Sequence, residues 1–341
     1  MAASLELLQP ALLFVGFLVI ALLSLNFLAT KNVKYPPVIK GWIPWLGCAI
    51  EFGKAPLLFI KKSSETHGVI FTVYAAGQRM TFLTDVSDFQ VFFNSPQADF
   101  QRAAEEAVKN TAGINKIDFF ANHRKIHDLV KGRLSSSNLH KLAPKVGKQL
   151  EEYIRQGMFY GFFFFFSHMK LSEYKTQDKT IYIHKETIKK LQIVERCILE
   201  AIRLRSPGMI ARKLTQPIRV QGLTIPAGDM LMISPYWAHR NETTFPNADS
   251  FVPGRWIQTA GSDKSTSSDN FIAFGGGRFQ CPGRSFAMME IQMFVSVLLC
   301  RFDLELVEKK VPSPSPQHVV GVPHPESKCY VKICNRIRTE L

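Results

Sequence analysis

Residues 271–290 read FIAFGGGRFQCPGRSFAMME, and this stretch decides how the rest of the chain is interpreted. Gly275, Gly276 and Gly277 precede Cys281, and Pro282 and Gly283 lead straight into a segment, residues 284–299 (RSFAMMEIQMFVSVLL), that is apolar nearly all round. A helix apolar on every side predicts burial. The glycines permit positive φ and close backbone approach. Such a loop can wrap a sulfur and aim amide N–H groups at it, while the helix N-terminus behind it supplies positive potential suited to an anionic sulfur.

Two readings of Cys281 stay open at this level. It is either an ordinary buried cysteine beside a glycine turn or a thiolate held as an axial iron ligand, whose electron donation favours O–O cleavage. A phosphate-binding loop is excluded because no GK[ST] follows the glycines. A zinc site would need convergent ligands, and Cys48, Cys197, Cys281, Cys300, Cys329 and Cys334 are scattered with no CxxC pair. The same scatter argues against a disulfide framework and fits a reducing compartment.

Upstream, Ile188, Leu191, Val194, Ile198 and Ile202 recur at helical spacing, which predicts a helix over 185–204 packed along one stripe. On it Glu200 and Arg203 lie three apart and share a face. Alone, that is a surface ion pair of little worth. Its position counts for more, because Pro253-Gly254-Arg255-Trp256 and then the cysteine loop follow in order.

The first residues address location. No charged side chain occurs between Glu6 and Lys31, and residues 7–30 read LLQPALLFVGFLVIALLSLNFLAT. At helical rise this run crosses a hydrocarbon core. Lys31 and Lys34 after it put the body of the chain in the cytosol by the positive-inside rule. A cleaved signal peptide, the alternative, usually has a basic start and a shorter apolar stretch.

Beyond the anchor comes KYPPVIKGWIPWLG (34–47), where Pro36, Pro37 and Pro44 forbid a helix and stiffen the exit. Residues 69–85, VIFTVYAAGQRMTFLTD, predict a hairpin turning at Ala-Gly-Gln. Residues 220–234, VQGLTIPAGDMLMIS, predict a second one turning at Pro226 to Gly228.

The formal charge of +14 calls for an acidic partner, whether nucleic acid, an anionic membrane or an acidic protein. Residues 102–150 carry ten Lys or Arg against four Asp or Glu, read as helices with a cationic face. Either that face is merely solvated, or it docks an acidic redox protein. No interleaving of aromatics with bases suggests a single-strand nucleic-acid groove. Five consecutive phenylalanines, Phe162–Phe166, sit in residues 157–178, which show no periodicity and are too short for a span.

The order of an ExxR helix, a PxRW segment and an FGxGxxxCxG loop resembles the cytochrome P-450 superfamily, and within it the oxysterol 7-alpha-hydroxylase branch. The resemblance rests on KGWIPWLGCAIEFGKAPLLFI, FTVYAAGQRMTF, ILEAIRLRSPG and FIAFGGGRFQCPGR. It covers residues 31 to about 150 and about 178 to 336.

It implies a mainly α fold with a small β domain behind a single transmembrane helix. The segments are an anchor (1–30), an N-terminal part (31–150), an atypical junction (151–177) and a haem-binding part (178–341). Cys281 is then the axial ligand of haem b, with Arg212, Phe274, Gly277, Arg278 and Gly283 around the cofactor. Glu200, Arg203 and Arg255 form the structural triad behind it. Arg212 stands where the family supplies a propionate contact, a plain surface arginine being the alternative. Residues 206–211 and VVGVPHPE (319–326) resemble substrate-contacting segments with apolar content suited to a sterol.

The implied reaction is hydroxylation of an oxysterol at the 7-alpha carbon. Electrons come from NADPH through NADPH-cytochrome P-450 reductase. The protein would sit in the endoplasmic reticulum membrane with its body in the cytosol, and lipid, reductase and sterol are its partners, not nucleic acid.

Three departures bear on that picture. Phe279 occupies the usual basic position two before the cysteine, and in extended backbone Arg278 would face the other way. Gly254 stands where a Glu is common, which predicts a looser triad. No [AG]Gx[DE]T[TS] helix occurs before Glu200, and the chain is well over a hundred residues shorter than the family norm. That helix roofs the haem and relays protons, so no catalytic residue is assigned and turnover is not expected. The alternative to an enzyme is a non-catalytic shortened isoform or a misassembled gene keeping only the proximal haem face.

Overall fold

A computed structural model describes residues 17, 33–105, 116–135, 137–155, 191–206, 208–257, 270–308, 311–313, 315 and 325–336. The anchor other than Phe17, the phenylalanine run and the segment 319–324 lie outside these residues. Among the described residues no helix is long and apolar enough to cross a membrane.

The central feature is a six-stranded sheet. Its N-terminal strands are β1 (Val38–Ile39), β2 (Ile70–Ala75), β3 (Gln78–Leu83) and β4 (Ala98–Asp99), and its C-terminal strands are β5 (Ile210–Leu214) and β8 (Met230–Ile233). The spatial order is β1-β2-β3-β8-β5-β4. Two strands more than two hundred residues along the chain are thus inserted between β3 and β4. The parallel β3–β8 pairing, Thr81 opposite Leu231, joins the two halves. Beside it the buried Asp229 accepts from Arg79 Nε at 2.7 Å and from Thr81 Oγ1 at 2.7 Å.

The first predicted hairpin is present, with β2 and β3 antiparallel and Ala75 opposite Gln78. Ala76 and Gly77 take φ of 49° and 77°, the paired left-handed turn whose twist matches the strands. The second prediction needs correction. The turn there is at Gln221-Gly222, φ 47° and 79°, joining β6 (Ile218–Val220) to β7 (Leu223–Ile225) in a separate two-stranded sheet. Pro226–Gly228 instead passes the chain from that small sheet to the large one. Burial decided this: Leu231 and Ile233 have a core to fill in the large sheet, and a six-residue alternation cannot say which neighbour a strand will choose.

Short helices α1 (Ala49–Lys54), α2 (Pro56–His67) and α3 (Phe89–Asn94) pack around the sheet. The basic region forms α4 (Lys116–Arg133) and α5 (Leu139–Arg155). Helix α5 runs past the boundary read at residue 150. Its Leu139, Ala143 and Leu150 pack on Met289, Met293 and Val297 of α8 (Arg284–Arg301). The predicted buried helix is therefore α8, although Leu299, at its far end, is 42% exposed. Helix α6 (Gln192–Arg205) carries the ExxR pair, α7 (Pro235–His239) follows β8, and β9 (Phe302–Leu306) pairs antiparallel with β10 (Val331–Asn335). The outcome is helix-rich with a sheet region, as the family resemblance implies.

Candidate functional site

The carboxylate of Glu200 organises the base of the site. Its Oε1 accepts from Arg203 Nη2 at 2.9 Å, Val252 N at 2.9 Å and Arg255 Nε at 3.0 Å. Its Oε2 accepts from Arg203 Nε at 2.9 Å and Trp256 Nε1 at 3.0 Å. Glu200 is fully buried, and burial alone would raise its pKa. The donors outweigh that, Arg203 foremost, and hold the group at about 2.

Arg203 spends its remaining N–H groups on the carbonyls of His239 (2.6 Å), Ala248 (2.7 Å) and Ser250 (3.1 Å). The triad Glu200, Arg203 and Arg255 is therefore assembled. It is not a surface pair. Gly254 does not loosen it, because Arg255 Nη1 and Nη2 donate to Pro246 O at 3.0 Å and Asn247 O at 3.3 Å. Backbone carbonyls supply what a neighbouring carboxylate would have supplied.

Two residues of this assembly were not assigned from sequence. Trp256 belongs to the PGRW segment but was given no partner. His239 is fully buried and bridges the triad to the cysteine loop: its Nδ1 lies 3.2 Å from Arg203 O, and its Nε2 accepts from Ile272 N at 3.1 Å. The ring stacks on Phe271, 5.1 Å between centroids. Its one sequence signal is a histidine inside the apolar segment SPYWAH, which by itself reads as a core residue.

From Ile272 the chain enters the loop. Gly275 N donates to Ile272 O at 2.9 Å, Cys281 N to Phe274 O at 2.9 Å and Arg284 N to Cys281 O at 3.3 Å. Gly275 and Gly277 take φ of 74° and 61°, and a Cβ on Gly276 would lie 3.0 Å from the Phe93 ring. The glycines are thus required by backbone sign and by the packing of α3. Cys281 is exposed and sits three residues before the start of α8.

Residues Gly277–Phe279 form a 3₁₀ turn. That corrects the extended backbone on which Arg278 was expected to face away. The guanidinium of Arg278 lies 4.7 Å from the Phe279 ring centroid and that of Arg212 lies 5.0 Å from it. Phe279 stands where a basic residue is usual, and two cations, the adjacent Arg278 and the distant Arg212, flank it instead. Arg212 is not a surface arginine: it is 3% exposed and also faces Phe92 and Phe100. Burial foremost, and then repulsion from Arg278, lowers its pKa to about 10. Two like charges held this close favour an anion between or beside them.

Cys281, Gly277 and Arg278 line one cavity of about 880 Å³ together with His127, Lys131 and Arg284. Leu134, Leu199, Met288 and Trp256 supply apolar wall. Phe274, Gly283 and Arg212 do not line it. Phe274 instead carries Arg284, 5.8 Å from its ring, and a Cβ on Gly283 would stand 3.8 Å from the Cys281 sulfur.

A thiol, several cationic groups and apolar wall in a space of this size match an iron macrocycle that bears carboxylates, so the residues fit a haem. Cys281 would ligate the metal, and Arg278, Arg284 and Lys131 face the same hollow.

The cytochrome P450 family model matches residues 174–333. The chain is 29% identical to the mouse (Mus musculus) 24-hydroxycholesterol 7-alpha-hydroxylase, over 91% of this chain and 95% of that protein. It is 28% identical to the human (Homo sapiens) protein of the same name, over 97% and 100%. The mouse alignment runs over 449 positions against a chain of 341 residues, so that relative carries a long internal stretch that this chain lacks.

Among solved structures, a retinoic acid-bound cyanobacterial CYP120A1 superposes with a TM-score of 0.68, at 15% identity, over 89% of this chain and 100% of that one. That likeness shows the fold. The closed ExxR triad and the cysteine loop at the head of α8 both lie within residues 174–333, the part of the chain that matches the cytochrome P450 family model.

Proposed function

We propose that the chain is a haem-thiolate monooxygenase-type protein that binds haem b through Cys281 and takes an oxysterol, with the 7-alpha carbon as the position hydroxylated. The observation that carries the haem reading is the pair of guanidinium groups, Arg212 and Arg278, drawn to Phe279 two residues before a cysteine that opens onto a cavity. When bound, the cofactor supplies reductive activation of dioxygen, with electrons from NADPH through NADPH-cytochrome P-450 reductase.

The chain's own residues divide the remaining work. Gly275 and Gly277 shape the loop that presents the sulfur, and Phe274 fixes its backbone through Cys281 N. Gly283 lies beside the sulfur, where a Cβ would make only an ordinary contact at 3.8 Å. Arg278, on the cavity wall, would meet a carboxylate of the group, and Arg212, buried behind Phe279, would add positive potential without touching it. Glu200, Arg203 and Arg255 hold the base on which the loop rests. The substrate class rests on the names of relatives 28–29% identical to this chain. The apolar run 7–30 anchors the chain in the endoplasmic reticulum membrane, body in the cytosol, and exposed lysines and arginines of α4 face the reductase.

A second reading has its own support. The chain lacks a long internal stretch relative to the mouse protein, and no [AG]Gx[DE]T[TS] sequence occurs in it. On that reading the chain binds haem without turning over, as a shortened isoform or the product of a misassembled gene.

Haem titration of the full chain and of Cys281→Ala tests the first part. Binding with a thiolate-type Soret band after reduction under carbon monoxide, lost in the alanine variant, is the expected result. No binding by the parent overturns it. Reconstitution with reductase and an oxysterol then separates the readings, since 7-hydroxylated product sinks the second. Continuous transcript support across Met158–Asp178 separates an isoform from an assembly error.

A further inference from the structure

His239 is fully buried and takes no part in the chemistry assigned above, yet it stands between the triad and the cysteine loop. Its ring is held rigidly from behind. Helix α7 ends at His239 and is tied to α6 there: Arg203 Nη1 donates to His239 O at 2.6 Å, and Arg240 Nη2 donates to Leu204 O at 2.9 Å. The ring itself reaches Arg203 O through Nδ1 at 3.2 Å. Phe271 lies flat against it, with 17° between the planes. Trp256 meets Phe271 edge-on at 5.2 Å, and its indole N–H is taken by Glu200. A ring fixed on both faces cannot turn, and its one free acceptor, Nε2, is aimed at Ile272 N, 3.1 Å away.

Ile272 is where the loop begins. A continuous run of hydrogen bonds leads from it to the sulfur-bearing residue: Gly275 N donates to Ile272 O, and Cys281 N donates to Phe274 O, both at 2.9 Å. The only other contact of Ile272 N among the described residues is with Asn270 O at 3.2 Å, two residues back in its own chain. The acceptor from outside the loop is therefore the histidine. The loop needs one, because three consecutive glycines, Gly275 to Gly277, have the most conformational freedom to lose.

We propose that His239 is a positioning residue for the cysteine loop: its Nε2 fixes the root at Ile272 and, through Gly275 and Phe274, the direction in which the Cys281 sulfur is presented. The proposal rests on reading Cys281 as the haem ligand. Neutral imidazole suits the place because it carries a donor and an acceptor on opposite edges of one rigid ring. Arg203 O takes the donor and Ile272 N uses the acceptor. A sulfur released from this setting would swing away from the metal and take up a proton.

The test compares the full chain with His239→Gln and His239→Asn. Glutamine carries an amide oxygen out to the place of Nε2, whereas asparagine reaches only the place of Nδ1. Two quantities are read: amide hydrogen exchange of residues 271–281 relative to the β2–β3 hairpin, and the Soret band after haem loading, reduction and carbon monoxide. In the asparagine variant, exchange of 271–281 is expected to rise about tenfold, the worth of one hydrogen bond. Its Soret band is expected to leave the thiolate position. The glutamine variant is expected to keep both near the parent.

A role in stability alone would raise exchange in the loop and the hairpin together, and that result overturns the proposal. Equal loop exchange in the glutamine and asparagine variants also overturns it. His239→Phe keeps a stacked ring without the acceptor and is expected to match asparagine, which preserves the test if the asparagine variant does not fold. Loop exchange that follows the expected ranking in a parent chain that binds no haem supports the hold on the loop and sinks the reading of Cys281 as ligand.

Discussion

Arg212 lies 5.0 Å from the ring of Phe279, although it stands 67 positions earlier in the chain, and the adjacent Arg278 lies 4.7 Å from the same ring. A position that is usually basic is therefore flanked by two cations, one from the next residue and one from a distant strand. Arg212→Met keeps the volume among Phe92, Phe100 and Phe279 and removes a desolvated charge, so stability is expected to hold or rise. Haem affinity is expected to fall about fivefold, or about 1 kcal/mol, through loss of a positive charge held behind Phe279 and not of a direct contact. Unchanged affinity in a titration would assign Arg212 to the fold alone.

Removal of either partner of the Glu200–Arg203 pair leaves an uncompensated buried charge. Glu200→Ala and Arg203→Ala are expected to cost about 3–5 kcal/mol, read as a shift in the urea midpoint. Arg255→Ala is expected to cost clearly less, because its side chain is 11% exposed and two of its three acceptors are near the surface. Equal losses for Arg203 and Arg255 would contradict the ranking. Since the carboxylate of Glu200 is held at about 2 in the folded chain, its contribution is present above the ordinary carboxylate pKa and drains away as pH falls from about 4.5 toward 2.

His239 titrates in the same direction for a different reason. Burial foremost, then the positive charges of Arg203 and Arg240, hold its pKa at about 3, against one favourable bond to Arg203 O. The network assigns the neutral ring with Nδ1–H donating to Arg203 O, because Nε2 already accepts from Ile272. The unfolded chain binds a proton at about 6.5, so stability falls as pH drops. The expected loss from this group between pH 7.5 and 5 is about 2 kcal/mol. His239→Gln should be weaker at pH 7.5 but lose about 2 kcal/mol less over that interval. Parallel slopes for the two proteins would refute the buried neutral histidine.

Gly47→Ala is expected to destabilise by more than about 2 kcal/mol, through left-handed φ and a backbone collision together. Gly53→Ala, where a Cβ meets nothing within 4 Å, is expected to be neutral or slightly stabilising, since it lies in α1. Thermal unfolding of the two variants side by side gives the comparison.

Local chemistry is what the sequence carries well. The glycine loop, Cys281, the ExxR helix and the β2–β3 hairpin were all legible, because backbone sign, residue type and helical spacing act over a few residues. The hairpin at Pro226 was misread for the same reason in reverse. Alternation located β7 and β8 but could not tell that β8 pairs with β3 and β5 while β7 pairs with β6.

The amino-acid sequence by itself determined the candidate thiolate ligand, the order of the motifs and an apolar N-terminal run. Only the tertiary structure decided how charge is placed around the ligand. Arg212 reaches Phe279 because β5 is inserted into a sheet begun in the first hundred residues, and His239 reaches Ile272 because α7 packs between the triad and the loop. Such contacts depend on which buried surfaces find each other across long chain separations, and no short pattern of residue types encodes that choice.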